Sequence, residues 1–584
     1  TFTTTATKTP TLVKNTIAQT TVIDEEQLQR HRGQSVIDVL RSQAGVHITQ
    51  NGADGSASNF YLRGYEGKQI LVLIDGVRYS SMTIGTPALY LIPADQIDRI
   101  EILYGASGAS LYGADAMGGV IQIFTKGQNA QQSNVALTIG GGTQNSYKGQ
   151  ITGQYVNDTS TLSLSTGYEK TDGINATRPD VGSNYSADKD GFESKSASFV
   201  AKHKINDAVD VGVNGLVSKS TSDFDSGATL INTYSDQKNG AASAYINFNQ
   251  DKLSANLKYG QSFDKTTTYD STSPQGNTFD TTQKQLNFQL GYKLPVGQLI
   301  AGLEHLKQEA DVNADYGSGY NAIYDLDRTV KSLFTSYLVT QNNFDFQAGV
   351  RQDDHSEYDK HTSYNIGGAY RINPTTRLGL AYSTGFKAPT VQDIYYGNGK
   401  VPFQTNKNWE AFIENSGKNR TTRLTGYQSD IENKTIWADG KTQVIPNASI
   451  DGINLSSDWK SNALLFGFDY GYQKAKNETT NQTLYYHPKN KATVYVGYQQ
   501  PKYDLRAEVS YTDKSISPDY RTYPETRQTL DDYTLLNISA NYYLSPNLTI
   551  NTRINNLTDT SYQTVYGYNT KGTNAFASLT YQWF

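Results

Sequence analysis

Residues 61–126 read YLRGYEGKQILVLIDGVRYSSMTIGTPALYLIPADQIDRIEILYGASGASLYGADAMGGVIQIFTK, and this stretch decides the fold. It holds three short apolar runs, Ile70 to Ile74, Ile97 to Leu103 and Val120 to Phe124, with glycines at 64, 67, 76, 105, 108, 113, 118 and 119 between and around them. Runs of this length cut by glycine turns predict a small domain whose strands are buried on both faces.

Upstream, Asp24 with Gln27 three residues later has the pattern of a capping box and predicts a helix start. Ser35 predicts a second helix over VIDVLRSQ, which Gly45 can end in a left-handed conformation. Val36, Val39 and Leu40 share one face of that helix, so core packing explains them. From His47 to Phe60 the chain reads HITQNGADGSASNF, a loop rich in turn formers.

Downstream of Gly127 the period changes to two. Leu162, Leu164, Thr166 and Tyr168 alternate with small polar residues. So do Leu253, Ala255, Leu257 and Tyr259, then Leu286, Phe288, Leu290, Tyr292 and Leu294, and late in the chain Leu536, Ile538, Ala540, Tyr542 and Leu544. A soluble sandwich shares this period, but its apolar face must meet a second one. So many strands without a helical break predict one closed antiparallel barrel, apolar toward lipid and polar toward its lumen. At roughly 20 residues per strand and connection, residues 128–584 make about 22 strands, wide enough to need an internal plug. Tyr168, Tyr259 and Tyr292 are expected near strand ends, as interfacial aromatics.

Composition agrees with a barrel. Of 584 residues only 36% are hydrophobic, but 43 are Tyr and 50 Gly. No apolar run approaches the 18 or more residues of a membrane helix. A mean hydropathy of −0.58 does not exclude a membrane, because a barrel strand shows only alternate residues to lipid. The net charge of −5 and the absence of any basic block argue against nucleic acid. With no Cys there is no disulfide framework and no thiolate chemistry. No phosphate loop, nucleophile elbow or HExxH is present, so an enzyme is not expected.

The succession LRG, LVLIDGVR, DRIEILYG and SLYGADAMGGVIQI resembles, in order and spacing, the plug of the TonB-dependent outer-membrane transporters. One departure lies at Tyr104 and Ala106, where that family usually has Arg and Pro around the glycine. GFKAPTVQDI (Gly385 to Ile394) resembles a barrel segment widespread in the family, and Ala577 to Phe584 resembles its C-terminal strand, although Phe584 falls out of step with Leu579, Tyr581 and Trp583. The resemblance implies an all-β membrane protein of the Gram-negative outer membrane, working as a monomer. Its N-terminal α+β plug (1–127) would sit inside a barrel of about 22 strands (128–584), with any signal peptide already absent from this sequence.

Site residues follow from chemistry and resemblance together. Thr1, Phe2, Thr3, Thr4, Thr5 and Ala6 form a β-prone terminus, by default frayed. In the resemblance they match the TonB box, which adds as a strand to the C-terminal domain of TonB. Asp188 and Asp190 in SADKDGF, and Asp223 and Asp225 in SDFDSG, lie two apart in turn-rich segments. Such pairs are ordinarily solvated turn formers, but they can also give a hard cation its oxygens. The resemblance assigns Asp188, Asp190 and Asp225 to Ca²⁺ binding, with Asp180 and Asp223 as further candidates. Plug loops at Ser56, Ala57, Ser58 and Asn59 and at Ser80, Ser81, Met82 and Tyr90 match the outward apices that touch cargo. Arg63, Arg78, Arg99 and Glu101 are expected to pair with charges on the barrel wall. The aspartate loops, together with VLRSQAGVHITQNGADGSASNFYLRG, look most like the cobalamin-transporting members, so cobalamin or another large chelate is the expected cargo. A ferric-siderophore receptor is the alternative, and a passive porin or adhesin barrel the second.

Overall fold

The computed structural model describes residues 1–180, 185–227, 230, 232–397 and 401–584. From Asn134 to Trp583 the chain forms a closed barrel of 22 antiparallel strands. The first strand, Asn134–Gly142, closes on the last, Asn574–Trp583, with Val135 opposite Trp583 and Gly142 opposite Phe576. Closure leaves no sheet edge, so every strand satisfies its backbone groups against a neighbour, as a lipid environment requires. Turns at one end are tight, as between Gln250 and Leu253 or Gln341 and Phe344, while the other end carries long connections, such as 556–573 between Leu548–Asn555 and Asn574–Trp583. That asymmetry marks the long-loop end as the outer one.

The period-two pattern sorts side chains as expected. Leu162 and Leu164 are exposed, whereas Ser163 and Ser165, which alternate with them, are fully buried. Leu286, Phe288, Leu290 and Tyr292 likewise face outward, and Gln283 and Gln285 inward. The buried layer is polar because it faces a plug, not a hydrocarbon core.

The plug fills the lumen. Its main sheet has the order Thr20–Ile23, Ile97–Tyr104, Gly119–Thr125, Ile70–Ile74, Val77–Arg78. Gly119–Thr125 runs parallel to Ile70–Ile74 and antiparallel to Ile97–Tyr104. All five residues of Ile70–Ile74 are buried, which explains why that strand reads as a continuous apolar run. A three-stranded sheet of Val46–Gln50, Ser58–Leu62 and Tyr65–Glu66 stands beside it. Ile23, Val36, Ile37, Leu40, Leu62, Ile100, Ile102 and Ile123 share one core between the sheets and the helices, each worth about 1.5–3 kcal/mol when fully buried.

Several expectations are revised. Asp24 caps the helix Glu25–Gln29 by accepting from the Gln27 amide at 3.1 Å, but the Gln27 side chain reaches the Val22 carbonyl rather than returning to the cap. The reciprocal box forms instead at Ser35 and Asp38. That helix stops at Leu40, so Gly45, at φ +67°, serves the turn into Val46–Gln50 and not the helix end. Tyr292 lies next to the end of its strand, but Tyr259 lies mid-strand, because the strands project well past the apolar band on the outer side. Phe584 lies beyond the last strand, which ends at Trp583, and is 93% exposed, so the strand period no longer governs it. The frayed terminus is the largest correction. Phe2–Thr3 pairs with Thr11–Leu12, and Thr3, Thr5, Ala6 and Thr7 are buried inside the barrel.

Candidate functional site

The outer-loop aspartates come together from three segments. Carboxylate oxygens of Asp188, Asp190 and Asp225 lie within 4.8 Å of one another, with Asp190 and Asp225 buried and Asp188 exposed. The strands Ser160–Ile174, Asp190–Lys204 and Val209–Asp223 are adjacent, so their outer ends bring Ala176, Thr177, Asp188, Asp190 and Asp225 to one corner. The Ala176 amide donates to one Asp190 oxygen at 2.8 Å, and the Thr177 hydroxyl donates to one Asp225 oxygen. The other oxygen of each, Asp190 Oδ1 and Asp225 Oδ1, is buried without a hydrogen-bond donor. Burial, together with Asp188 facing it, pushes the Asp225 carboxyl up to about 6. Three converging carboxylates with two orphaned buried oxygens make an all-oxygen donor set, which fits a hard divalent cation such as Ca²⁺. Asp180 stays outside the cluster, 3.4 Å from Arg178, and Asp223 instead accepts from the Gly191 amide at 3.2 Å.

The plug apices are less free than expected. Ser58 donates to the Ser56 carbonyl, and Asn59 accepts from the Gly67 amide. Ser80 accepts from Gln283, Ser81 from the Thr83 amide, and the Met82 amide donates to Thr281. Met82 packs with Ala310, Leu326 and Val391, and Tyr90 against the cluster around Phe192. Of these residues Ala57 stands open, as does neighbouring Ile84 at 49% exposure.

Sequence reasoning missed an aromatic cluster at the outer end and an aromatic contact between plug and barrel. Tyr324 stacks on Tyr395 at 4.2 Å, and Tyr395 leads through Tyr396 to Trp437. Tyr61 of the plug strand Ser58–Leu62 meets Tyr486 and His487 of the barrel, with Tyr61 and His487 buried in the contact. The signal was present as the pairs Tyr395–Tyr396 and Tyr485–Tyr486, which interrupt the strand period within loops.

Polar pairs fasten plug to wall, though mostly not the pairs expected. Arg63 does reach the wall, with Glu410 at 3.2 Å, its guanidinium lying over the rings of Tyr104 and Tyr427. Tyr104, where the resemblance leads one to expect Arg, thus supplies an aromatic face. Arg78 pairs with Asp115 and donates to the Tyr112 and Ala114 carbonyls, all within the plug, because its strand edge turns the guanidinium toward the plug's own loop. Arg99 and Glu101 pair with each other at 3.1 Å, since same-face neighbours two apart on one strand meet before either reaches the wall. The unexpected fastenings are Asp95 to Lys148 at 2.6 Å, Glu66 to Lys434 at 2.9 Å, Asp115 to Lys387 at 3.0 Å and Asp54 to Lys571 at 2.9 Å. Burial would raise the Glu66 carboxyl, but Lys434 and Lys68 hold it at about 2. A polar cavity of about 670 Å³ remains between the helices Glu25–Gln29 and Val36–Leu40 and the wall around Arg423, Asp469 and Arg506.

Glu101 has a second role. One of its oxygens accepts from the Thr3 hydroxyl at 2.6 Å and from the Thr4 and Thr5 amides at 3.2 and 3.0 Å, and also from the Thr5 hydroxyl. Lys8 follows with a 2.6 Å contact to Glu304 of the wall, itself bound by Arg351. The N-terminal segment is therefore docked on the plug sheet.

Residues 132–557 match the family described as TonB dependent receptor-like, beta-barrel, and residues 13–120 match the TonB-dependent Receptor Plug Domain. The vitamin B12 transporter BtuB of Photobacterium profundum is 29% identical over 585 residues, covering 98% of this chain and 93% of its own. Among solved structures, the siderophore receptor PirA of Acinetobacter baumannii superposes with a TM-score of 0.82 at 17% identity, covering 97% of this chain and 98% of its own. A point variant of the ferric enterobactin receptor PfeA of Pseudomonas aeruginosa, with enterobactin bound, gives 0.82 at 16% identity over 97% and 100%. At such identities these two establish the fold alone.

Proposed function

The chain belongs to the TonB-dependent receptors of the Gram-negative outer membrane, and from that premise we propose that it imports cobalamin or a related corrinoid, energised by TonB and aided by Ca²⁺. The observation that carries the cargo is the whole-length similarity, at 29% identity, to a vitamin B12 transporter. The aromatic cluster of Tyr324, Tyr395, Tyr396 and Trp437 suits the proposal, because a large amphipathic ring system needs a flat apolar side with a few polar groups to orient it. Ca²⁺ on Asp188, Asp190 and Asp225 ties the loop 175–189 to the loop after Asp223 beside the mouth, reducing the ordering cost of binding. The outer membrane offers no nucleotide, so work comes from TonB pairing with the segment Thr1 to Ala6 as an added strand. That segment must first leave Glu101.

Isothermal titration of the purified protein with cyanocobalamin, in Ca²⁺ and then in chelator, tests the reading. Tight binding that weakens in chelator is expected. Absence of heat at micromolar ligand in both conditions overturns the cobalamin assignment, and binding of ferric chelates in its place would establish the siderophore alternative.

A further inference from the structure

Residues 14–17, between the docked N-terminal segment and the plug sheet, are fastened to the barrel wall. Arg371 donates to the Lys14 carbonyl at 3.4 Å and to the Asn15 side-chain oxygen at 2.8 Å. Arg377 donates to the Thr16 carbonyl at 2.7 Å, and Arg423 to the Ile17 carbonyl at 3.2 Å. The three arginines stand on the strands His361–Asn373, Thr376–Lys387 and Arg420–Ala438, close to their tight inner turns. Wall carboxylates hold the guanidiniums in turn. Asp345 binds Arg371 and Arg377 at 2.8 and 3.0 Å, and Glu414 binds Arg377 and Arg423 at 3.5 and 3.3 Å. The donors are therefore preset and charged, which makes their bonds to main-chain carbonyls stronger than neutral ones.

The Ile17 side chain adds an apolar contact on the same patch. It is buried against Ala369 and Phe412, beside Ala381. Gly367 makes the room, because a Cβ there would stand 3.0 Å from Ile17 Cγ2. On a largely polar lumen wall, this hole is filled by one residue of the linker. One residue further on, the chain returns to the plug. Ala18 packs with Leu71, Leu73 and Leu103, the Gln19 carbonyl accepts from the Tyr104 amide, and Thr20–Ile23 pairs with Ile97–Tyr104. Attachment thus alternates along the chain, with Thr3 to Thr5 on Glu101 of the plug, residues 14–17 on the wall, and Ala18 onward on the plug again. A pull on Thr1 meets these contacts in series.

We propose that Arg371, Arg377, Arg423 and the hole around Ile17 form a mechanical stop on the barrel wall, which takes up tension on the N-terminal segment before it reaches the plug sheet. Every strand of the closed barrel is bonded on both sides, so the anchor does not move with the pull. Thr1 to Ala6 can then be drawn out and paired with a partner strand while the plug stays folded, and the edge strand Thr20–Ile23 is loaded only when the stop yields. The inference rests on the reading that force enters through the N-terminal segment. The arginines are positioning residues, since they hold the linker and not the cargo.

The test is single-molecule pulling on the purified full chain in a lipid nanodisc, with DNA handles on T1C and on K252C in an inner turn; the chain has no other Cys to compete for them. Release of the docked segment should be followed by a separate force peak once residues 1–13, about 45 Å of extended chain, are free. I17A removes most of the apolar contact and should lower that peak by half or more. G367V fills the hole from the wall side and should abolish it, so that the next resistance comes about 15 Å later, at Ala18. Neither variant touches a charge. K14Q, on an exposed side chain, should leave the peak unchanged. Identical traces with and without I17A and G367V would overturn the stop, and so would the absence of any peak between segment release and the plug sheet in the unsubstituted protein. Should G367V not give a heat-modifiable barrel, I17A decides alone. The experiment contains neither TonB nor cobalamin, so a missing peak leaves the cargo assignment standing, and a failed cyanocobalamin titration leaves the stop standing.

Discussion

At the scale of single residues, Glu101 is the acidic group with the most to lose. It is wholly buried and serves the Thr3 and Thr5 hydroxyls and two amides with a single oxygen. Glu101→Ala would leave those donors buried and unmet, an expected cost on the order of 3 kcal/mol, which shifts the docked population of the segment more than a hundredfold. A spin label at T1C should therefore turn from an immobile to a mobile line shape, and an unchanged spectrum would refute the docking role. Asp225 gives a pH-dependent counterpart. Its carboxyl titrates at about 6, and a cation needs the charged form. The ionised fraction of Asp225 is about nine-tenths at pH 7 and about one-tenth at pH 5, so Ca²⁺ affinity should fall by at least about tenfold between them, and further because burial raises the Asp190 carboxyl of the same cluster as well. D225N should bind Ca²⁺ more weakly by tenfold or more and lose this part of the pH dependence; Ca²⁺ titration at the two pH values decides it.

At the scale of elements, plug and barrel are held by different physics, and a mutation can separate them. Ile102 is fully buried in the interior strand Ile97–Tyr104, beside Thr21 on one neighbour and Ile121 on the other. Ile102→Ala should cost about 2–5 kcal/mol of plug stability and leave the barrel intact. Hydrogen exchange should rise over 97–125, with unchanged heat-modifiable mobility; a lost barrel band would show that the two units are coupled. The same separation explains how much the sequence disclosed. Ile70–Ile74 begins and ends where its apolar run does, because a strand buried on both faces has no polar residue inside to blur its limits. The barrel was legible because lipid enforces period two on every strand. The plug–wall pairs were not, since Asp95 and Lys148, or Glu66 and Lys434, are distant in sequence and carry no local signal. Arg99 and Glu101 misled for the converse reason, as neighbours that satisfy each other. The aspartate corner lay between, its residue types visible in SADKDGF and SDFDSG but its membership set by which strand ends are adjacent.

At the scale of the whole molecule, the proposed cargo site and the proposed TonB-pairing segment share no residue and no direct contact among those described. The Tyr324–Tyr395 cluster and the aspartate corner lie at the long-loop end, whereas the segment Thr1 to Ala6 is docked inside the barrel on Glu101 of the plug sheet, with Lys8 on Glu304. Binding needs only the first of these and uptake needs both. Removing residues 1–7 takes away Phe2–Thr3 and the donors to Glu101 but no residue of the outer mouth. The truncated protein should therefore bind cyanocobalamin with unchanged affinity, within about twofold, while uptake into cells falls to the level of cells lacking the protein. A passive pore predicts the reverse, uptake untouched, because diffusion through a lumen does not depend on a strand for a partner to pull. Radiolabelled cobalamin binding and uptake, measured on the same cells, separate the two. If both are lost, the terminus is needed for folding, and the position of the docked segment on the plug sheet shows why.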